Sequence, residues 1–489
     1  MKTWISLGLV AVLAGSVAGA QEGGVPGTRW NLPVMATWTE DPATGVTLAF
    51  ERSEGCSARL EFGPREMAWK SVVEHPTASY RHVFHLEGLM PGMTYSYRVS
   101  ASDGYAQNGC FNTAPVAGDG SRPFSFVWHG DLQGGLNVTA GVAVAEAIVA
   151  NEPDRLFVLS TGDLGDNRYS TDYLDCVRSW EKFFACTSNE LAGTVFQPCV
   201  GNHDEPENPD SFWYRLFELP GDKRDYVFDV GPIRFICVDS AEFEIPSRTP
   251  WLRRQLQAAA SDERVRWVIP VFHRPPYSWG EREGQQQVRD NWCALFTRYE
   301  VPLVLSGHAH TYQRTAPIDG VNYLVSGGGG AWLYEIDETR PEICMATTCY
   351  HYVRFDVGAD GTLSMKAKTP DGQVFDEFTY AAPRRRVRTS PAFPRRGEVL
   401  TITYDPADGP LAGAEKVCIK AGSDDWRNVF LDDAEMEALP DGRFRISFLV
   451  PIDPKWHLSY CFHDPERELW DNNRRHDWQT LVAPQFQRN

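Results

Sequence analysis

Five short polar motifs punctuate the middle of this 489-residue chain, each at the end of an apolar run. In order they are Gly130-Asp131-Leu132-Gln133, Gly162-Asp163-Leu164-Gly165-Asp166, Gly201-Asn202-His203-Asp204, His273, and Gly307-His308-Ala309-His310. The runs before them, at 124–129, 155–160, 194–200, 268–272 and 302–305, read as strands. Segments at 142–150, 251–260 and 287–299 read as helices. Strands alternating with helices predict a layered α/β domain over residues 122–380. The chemistry of such a domain sits in loops beyond the strand C-termini. Glycines ahead of Asp131, Asp163, Asn202 and His308 let the backbone turn sharply off each strand.

The side chains collected on that rim are Asp131, Asp163, Asn202, His273, His308 and His310. Two carboxylates, one amide and three imidazoles make a mixed oxygen and nitrogen donor set. Such a set suits Mn, Fe or Zn better than Ca, and it is not a thiolate site. It is too large for one ion but suits two, about 3.5–4 Å apart, sharing one carboxylate and a hydroxide. His308 and His310, two residues apart, face one way if the chain is extended and two ways if it turns. Singly, each motif reads as an ordinary turn or a structural histidine; their order on one strand rhythm carries the inference. His129, on the strand before Asp131, reads as support for the ligands rather than as a ligand.

At these residues the chain resembles the calcineurin-like metallophosphoesterases, and most closely their purple acid phosphatase branch. The resemblance rests on Gly201-Asn202-His203-Asp204, on His273-Arg274-Pro275-Pro276-Tyr277, and on Gly307-His308-Ala309-His310-Thr311-Tyr312-Gln313-Arg314. Tyr226-Val227-Phe228-Asp229 and Val325-Ser326-Gly327-Gly328-Gly329-Gly330 look like family strands. The resemblance implies a four-layer α/β/β/α core. It implies that Asp163 bridges two ions, that Asp131 and His310 bind one, and that Asn202, His273 and His308 bind the other. A metal-bridging hydroxide would attack phosphorus, and His203 would act as general acid. Two departures stand out. Purple members carry a tyrosine three residues after the bridging aspartate, where this chain has Asp166; non-purple members carry a histidine where it has Gln133. The first ion's site therefore lacks one strong ligand, with Gln133 a weaker, neutral substitute. The expectation is no tyrosinate colour and a divalent Mn, Zn or Fe pair. Asp166 is expected to hydrogen-bond His203, and Arg168 and Arg274 are candidate phosphate contacts.

Residues 1–20 read as an export signal: Lys2, an apolar stretch from Trp4 to Ala14, then Ala18-Gly19-Ala20. No later stretch reaches the roughly 18 apolar residues of a spanning helix. The expected location is periplasmic, cell-surface or extracellular. Export permits disulfides, with Cys56–Cys110, Cys418–Cys461 and Cys344–Cys349 as candidate pairs. Residues 28–116 resemble a fibronectin type III sandwich, with strands at 46–50, 58–62 and 95–99. Residues 381–397, rich in arginine, read as a solvated linker. Residues 398–489 resemble a starch-type carbohydrate-binding module, most specifically in Trp470-Asp471-Asn472-Asn473, so polysaccharide is a possible partner. Its exposed tryptophans would stack on sugar rings while Asp and Asn bond hydroxyls.

A formal charge of −18 argues against nucleic-acid binding by bulk charge. It does not exclude a phosphorylated substrate, because a metal pair supplies local positive charge. The sequence thus predicts an exported dinuclear-metal hydrolase of phosphate esters, monoesters preferred. A phosphodiesterase on the same metal core is the near alternative. A glycan-binding surface protein with a weakened metal site is the alternative from another class.

Overall fold

The computed structural model describes residues 31–67, 70–133, 138–166, 173–204, 212–336 and 340–483. The expected signal at 1–20 and the candidate contact Arg168 lie outside them. Two large sheets form the centre. Three parallel strands, Phe124–His129, Arg155–Ser160 and Val195–Pro198, lie side by side in the first. In the second, Ile233–Cys237, Trp267–Phe272, Leu303–Ser306 and Asn322–Ser326 run parallel. Parallel strands buried on both faces need continuous apolar sequence, which these segments supply. The sheets meet through aromatic rings, with Phe126 and Phe157 edge-on to Phe235 at 5.4 and 5.6 Å. Helices Val138–Asn151 and Tyr173–Ala192 cover the first sheet through residues such as Val144, Ile148, Trp180 and Phe183. Helix Ile245–Ser261 covers the second through Leu252 and Leu256. This is the expected four-layer α/β/β/α arrangement. The predicted helix at 287–299 is instead three short helical pieces, the middle one a π turn at Arg289–Cys293.

The flanking regions differ from expectation in detail. The expected strands at 46–50 and 58–62 are one long strand, Val46–Pro64, whose register shifts between Glu51 and Ala58. The N-terminal strands join the first catalytic sheet where Ala36 pairs with Val195, and their apolar residues share its core. The C-terminal region has two sheets and a core of its own, centred on Tyr404, Tyr460, Phe462 and Trp478. None of the three candidate disulfides forms, because the partners face elsewhere. Cys56 points to the Ser79 carbonyl and His82, and Cys110 to the Gly193 carbonyl. Cys418 stands opposite His463, while Cys461 stands opposite Lys420.

The arginine-rich linker is only partly solvated. Its strand Val387–Ser390 belongs to a C-terminal sheet, Arg385 is buried, and Arg386 bonds Glu300 and Asp471. Asp471 and Asn473 of the expected sugar-binding motif are likewise buried. Asp471 accepts from Arg386 and Tyr404, and the Asn473 amide donates to the Thr297 and Arg298 carbonyls. Those groups fasten the C-terminal region to the catalytic one, so they are not presented to glycan hydroxyls. Of its tryptophans, Trp478 is core and Trp426 donates to Asp477, while Trp456 and Trp470 are exposed. No helix among the described residues is long and apolar enough to cross a membrane.

Candidate metal centre

Every motif lies where the sequence put it, just past a strand end on one edge of the paired sheets. Getting the side chains to face each other requires unusual backbone. Asp131, Gln133, Asp163 and His308 all have positive φ, at 62°, 39°, 53° and 67°. Non-glycine residues rarely adopt this left-handed region, and such conformations gather at functional sites. Gly162 and Gly201 allow the second and third motifs to touch. A Cβ on Gly162 would strike the Gly201 backbone, and one on Gly201 would strike Asp163.

Asp163 occupies the middle, fully buried. Its Oδ2 lies 3.1 Å from His273 Nε2, and its Oδ1 accepts the His203 backbone N–H at 2.7 Å. His308 Nδ1 lies 3.1 Å from His273 Nε2. Donor atoms of Asp163, His273 and His308 fall within 4.8 Å of one another. His273 Nδ1 is 2.9 Å from the Thr161 carbonyl oxygen, which fixes a proton on Nδ1 and turns Nε2 toward the centre. Both atoms of the Asn202 amide are buried without a hydrogen-bond partner among the described residues, as suits a group meant for a cation.

The other half holds Asp131, Gln133 and His310. His310 Nε2 lies 3.5 Å from Asp131 Oδ1, and its Nδ1 is 2.6 Å from the Trp332 carbonyl oxygen. Gln133 Nε2 lies 3.3 Å from Asp163 Oδ2 and 3.4 Å from His310 Nε2. The φ of 67° at His308 answers the question of the paired histidines. The chain turns, sending His308 to one half and His310 to the other.

The charges reinforce one another. Burial opposes ionisation of Asp163, but His273 and His203 hold its carboxyl well below the usual range. Burial also disfavours protonation of His273, yet Asp163 outweighs it and raises the imidazole to about 9. His308 is pushed well below its usual value by burial, with the His273 and Arg274 charges adding to the effect. Such a balance of clustered anions and imidazoles is what a cation would complete.

His203 stands opposite this cluster. Its Nδ1 is 2.6 Å from Asp166 Oδ1, the contact expected from sequence, and its Nε2 lies 3.9 Å from Asp163 Oδ2. Burial lowers its basicity, but Asp163 and Asp166 together raise it above the ordinary value. Arg274 lies at the rim, its Nη1 3.5 Å from His308 Nε2 and its backbone N–H donating to Ser240 Oγ. His129 does not serve the ligands. It turns toward helix Tyr173–Ala192, where Nε2 lies 3.3 Å from Glu190 Oε1, both side chains fully buried.

Asp204, the last residue of the third motif, has a role that sequence reasoning did not assign. Its carboxylate accepts four backbone N–H bonds, from Asp163, Leu164, Gly165 and Gly201, at 2.8–3.0 Å. It thereby latches the second motif to the third. Burial and the Asp163 charge push it up to about 7 against those donors. Tyr334 was also missed; its ring stacks on His310 at 4.1 Å. No local pattern marks Tyr334, because it reaches the site from a loop beyond the last motif.

Comparison with known proteins agrees with this geometry. Residues 124–312 match the family described as calcineurin-like phosphoesterase. An Arabidopsis thaliana protein named probable inactive purple acid phosphatase 1 is 25% identical over 402 residues, covering 70% of this chain and 62% of that one. Acid phosphatase type 7 of Homo sapiens is 27% identical over 282 residues, covering 51% and 59%. The chain thus spans about three fifths of the length of these curated relatives. Among solved structures, purple acid phosphatase PPD1 from yellow lupin superposes with a TM-score of 0.60 at 19% identity, covering 72% of this chain and 74% of that one. The architecture is the metallophosphoesterase fold, and residues 124–312 are a calcineurin-like phosphoesterase domain.

Proposed function

We propose that this protein is a metal-dependent hydrolase of phosphate esters, with monoesters preferred. The observation that carries the reading is the convergence of Asp163, His273 and His308 within 4.8 Å, together with a buried Asn202 amide that no group among the described residues satisfies. Asn202, His273 and His308 would hold one divalent ion, Asp131, His310 and Gln133 the other, and Asp163 would contribute to both. Mn, Zn or Fe fits this donor set. Bound there, the ions would supply Lewis acidity toward phosphoryl oxygens and activation of water near neutral pH.

The remaining work falls to the chain's own groups. Asp166 fixes the His203 proton on Nδ1 and raises the basicity of the ring, so that Nε2 also carries a proton to donate. That proton goes to the leaving oxygen, which would otherwise depart as an unstable alkoxide. Arg274 lies close enough to His308 to orient a phosphoryl oxygen by charge. Asp204 keeps the Asp163 and His203 loops in register. Export to a periplasmic, surface or extracellular location, and a division into N-terminal sandwich, catalytic domain and C-terminal carbohydrate-binding module, belong to the same proposal. Trp456 and Trp470 are the exposed rings that a polysaccharide would use.

Turnover of an aryl monophosphate and a bis-aryl phosphate by the same preparation tests the reading. The monoester should be hydrolysed faster. Faster diester turnover would make the enzyme a phosphodiesterase, and hydrolysis of neither by metal-loaded protein would defeat the proposal. A glycan-binding protein with a weakened metal site is the second reading, prompted by Gln133 and Asp166. Two bound ions per chain would count against it.

A further inference from the structure

The linker arginines that local charge consigned to solvent line a pocket of about 240 Å³ formed by the linker and the C-terminal sheet. Its charged lining is Arg384, Arg385, Arg386, Arg388, Arg443 and Asp405. Five guanidinium groups against one carboxylate is a sharp local reversal in a chain of charge −18. The strand pairing explains part of it. Arg388 stands directly opposite Thr403 in an antiparallel pair, so both project from the same face, while Val387 turns into the core.

The acceptors around the pocket are already engaged. Asp405 is bonded by Arg384, Glu300 by Arg386, Asp441 by Arg443, and Asp262 by Arg234 and Arg264. Arg385, only 9% exposed, gives one bond, from Nη1 to the Tyr299 carbonyl. Its Nε and Nη2, and Nη1 of Arg388, are buried and meet no protein acceptor. Burial and the neighbouring charges of Arg388 and Arg234 hold the Arg385 guanidinium down to about 10, although Glu300 and Asp262 pull the other way. Buried unpaired guanidinium N–H groups are costly. Forked N–H donors on two such groups match a tetrahedral oxyanion, which can accept from both at once.

We propose that this pocket binds an oxyanion of the phosphate class, held by Arg385 and Arg388. The site is separate from the metal centre and does not depend on its chemistry. The same recognition would serve free inorganic phosphate or a phosphoryl group within a chain of phosphates.

The test is calorimetric titration of the full-length protein at constant ionic strength with inorganic phosphate, sulfate and tripolyphosphate, each with and without a strong chelator. One phosphate should bind per chain in the presence of chelator, which removes metal-dependent binding. Arg388→Gln should weaken that binding about tenfold or more, the worth of charge-assisted bonds to one guanidinium. Arg388→Lys should restore part of it. Arg443→Gln, at a more exposed position, should weaken it less and supplies a second test if Arg388→Gln does not fold. Tighter tripolyphosphate than phosphate would name chained phosphate as the source, and equal affinity the free ion. No chelator-resistant binding, or binding undiminished in the folded Arg388→Gln and Arg443→Gln proteins, would overturn the proposal.

Discussion

The two halves of the metal centre share Asp163 but are built to different standards. Around His273 and His308, three donor groups, Asp163 among them, lie within 4.8 Å of one another. Around Asp131 and His310, His310 Nε2 lies 3.5 Å from Asp131 Oδ1, and the third group is an amide; both His273 and His310 are oriented through the far nitrogen by a backbone carbonyl. Both Asp131 oxygens also lie within 3.0 Å of the His308 backbone nitrogen, which shares out their charge. An amide oxygen is neutral, and Gln133 would have to present it in place of the nitrogen that now faces Asp163 and His310. On the proposed assignment a strong site is paired with a weak one, and Asp163 would serve both.

That asymmetry can be broken at its shared point. Asp163→Asn removes a charge from both halves and should cost at least about a thousandfold in aryl phosphate turnover, with both ions lost on elemental analysis. Retention of two ions would mean that Asp163 does not bridge. Next in size is a contrast between the halves. His308→Ala should reduce turnover about a hundredfold or more, and Gln133→Ala markedly less, because the amide contributes the weaker field. Equal losses would erase the distinction.

Asp166→Asn should lower kcat about tenfold and change the pH profile. His203 must be protonated to donate, so activity falls as pH rises through its pKa. Asp166 helps hold that pKa above the ordinary value, so removing its charge moves the alkaline limb to lower pH. An unmoved limb would take His203 out of the acid's role. The smallest expected effect on rate, and the one that sharpens the comparison most, is Gln133→His. It should tighten metal binding in the weak half about ten- to a hundredfold while leaving the strong half unchanged, readable by competition with a graded chelator.

Most of the catalytic core was legible because its signals are local. A hydrophobic strand followed by Gly-Asp, Gly-Asn, Gly-His or, once, a lone histidine announces both the strand and its end, and five such signals located the sheet edge. The Asp166–His203 contact was legible through the motif order. What escaped depends on neighbours distant in sequence. Asp204 looks like any loop aspartate until two loops bring four N–H groups to it. His129 alternates with Asp131 along its strand, yet helix Tyr173–Ala192 supplies Glu190 and draws it away. The linker arginines looked solvated because local charge says nothing of Glu300 or Asp471, which bury them at an interface. Asp471 and Asn473 match a sugar-binding pattern locally, yet Arg386 and Tyr404 engage Asp471 and the catalytic-domain carbonyls of Thr297 and Arg298 engage Asn473.

The central claim, an unequal metal pair serving phosphate-ester hydrolysis, is tested most directly by stepwise chelation with bound metal and aryl phosphate turnover measured on the same samples. The account predicts two ions per chain at the start. One should leave at distinctly lower chelator strength, and activity should fall with that first departure. Full turnover by protein stripped of both ions would contradict it.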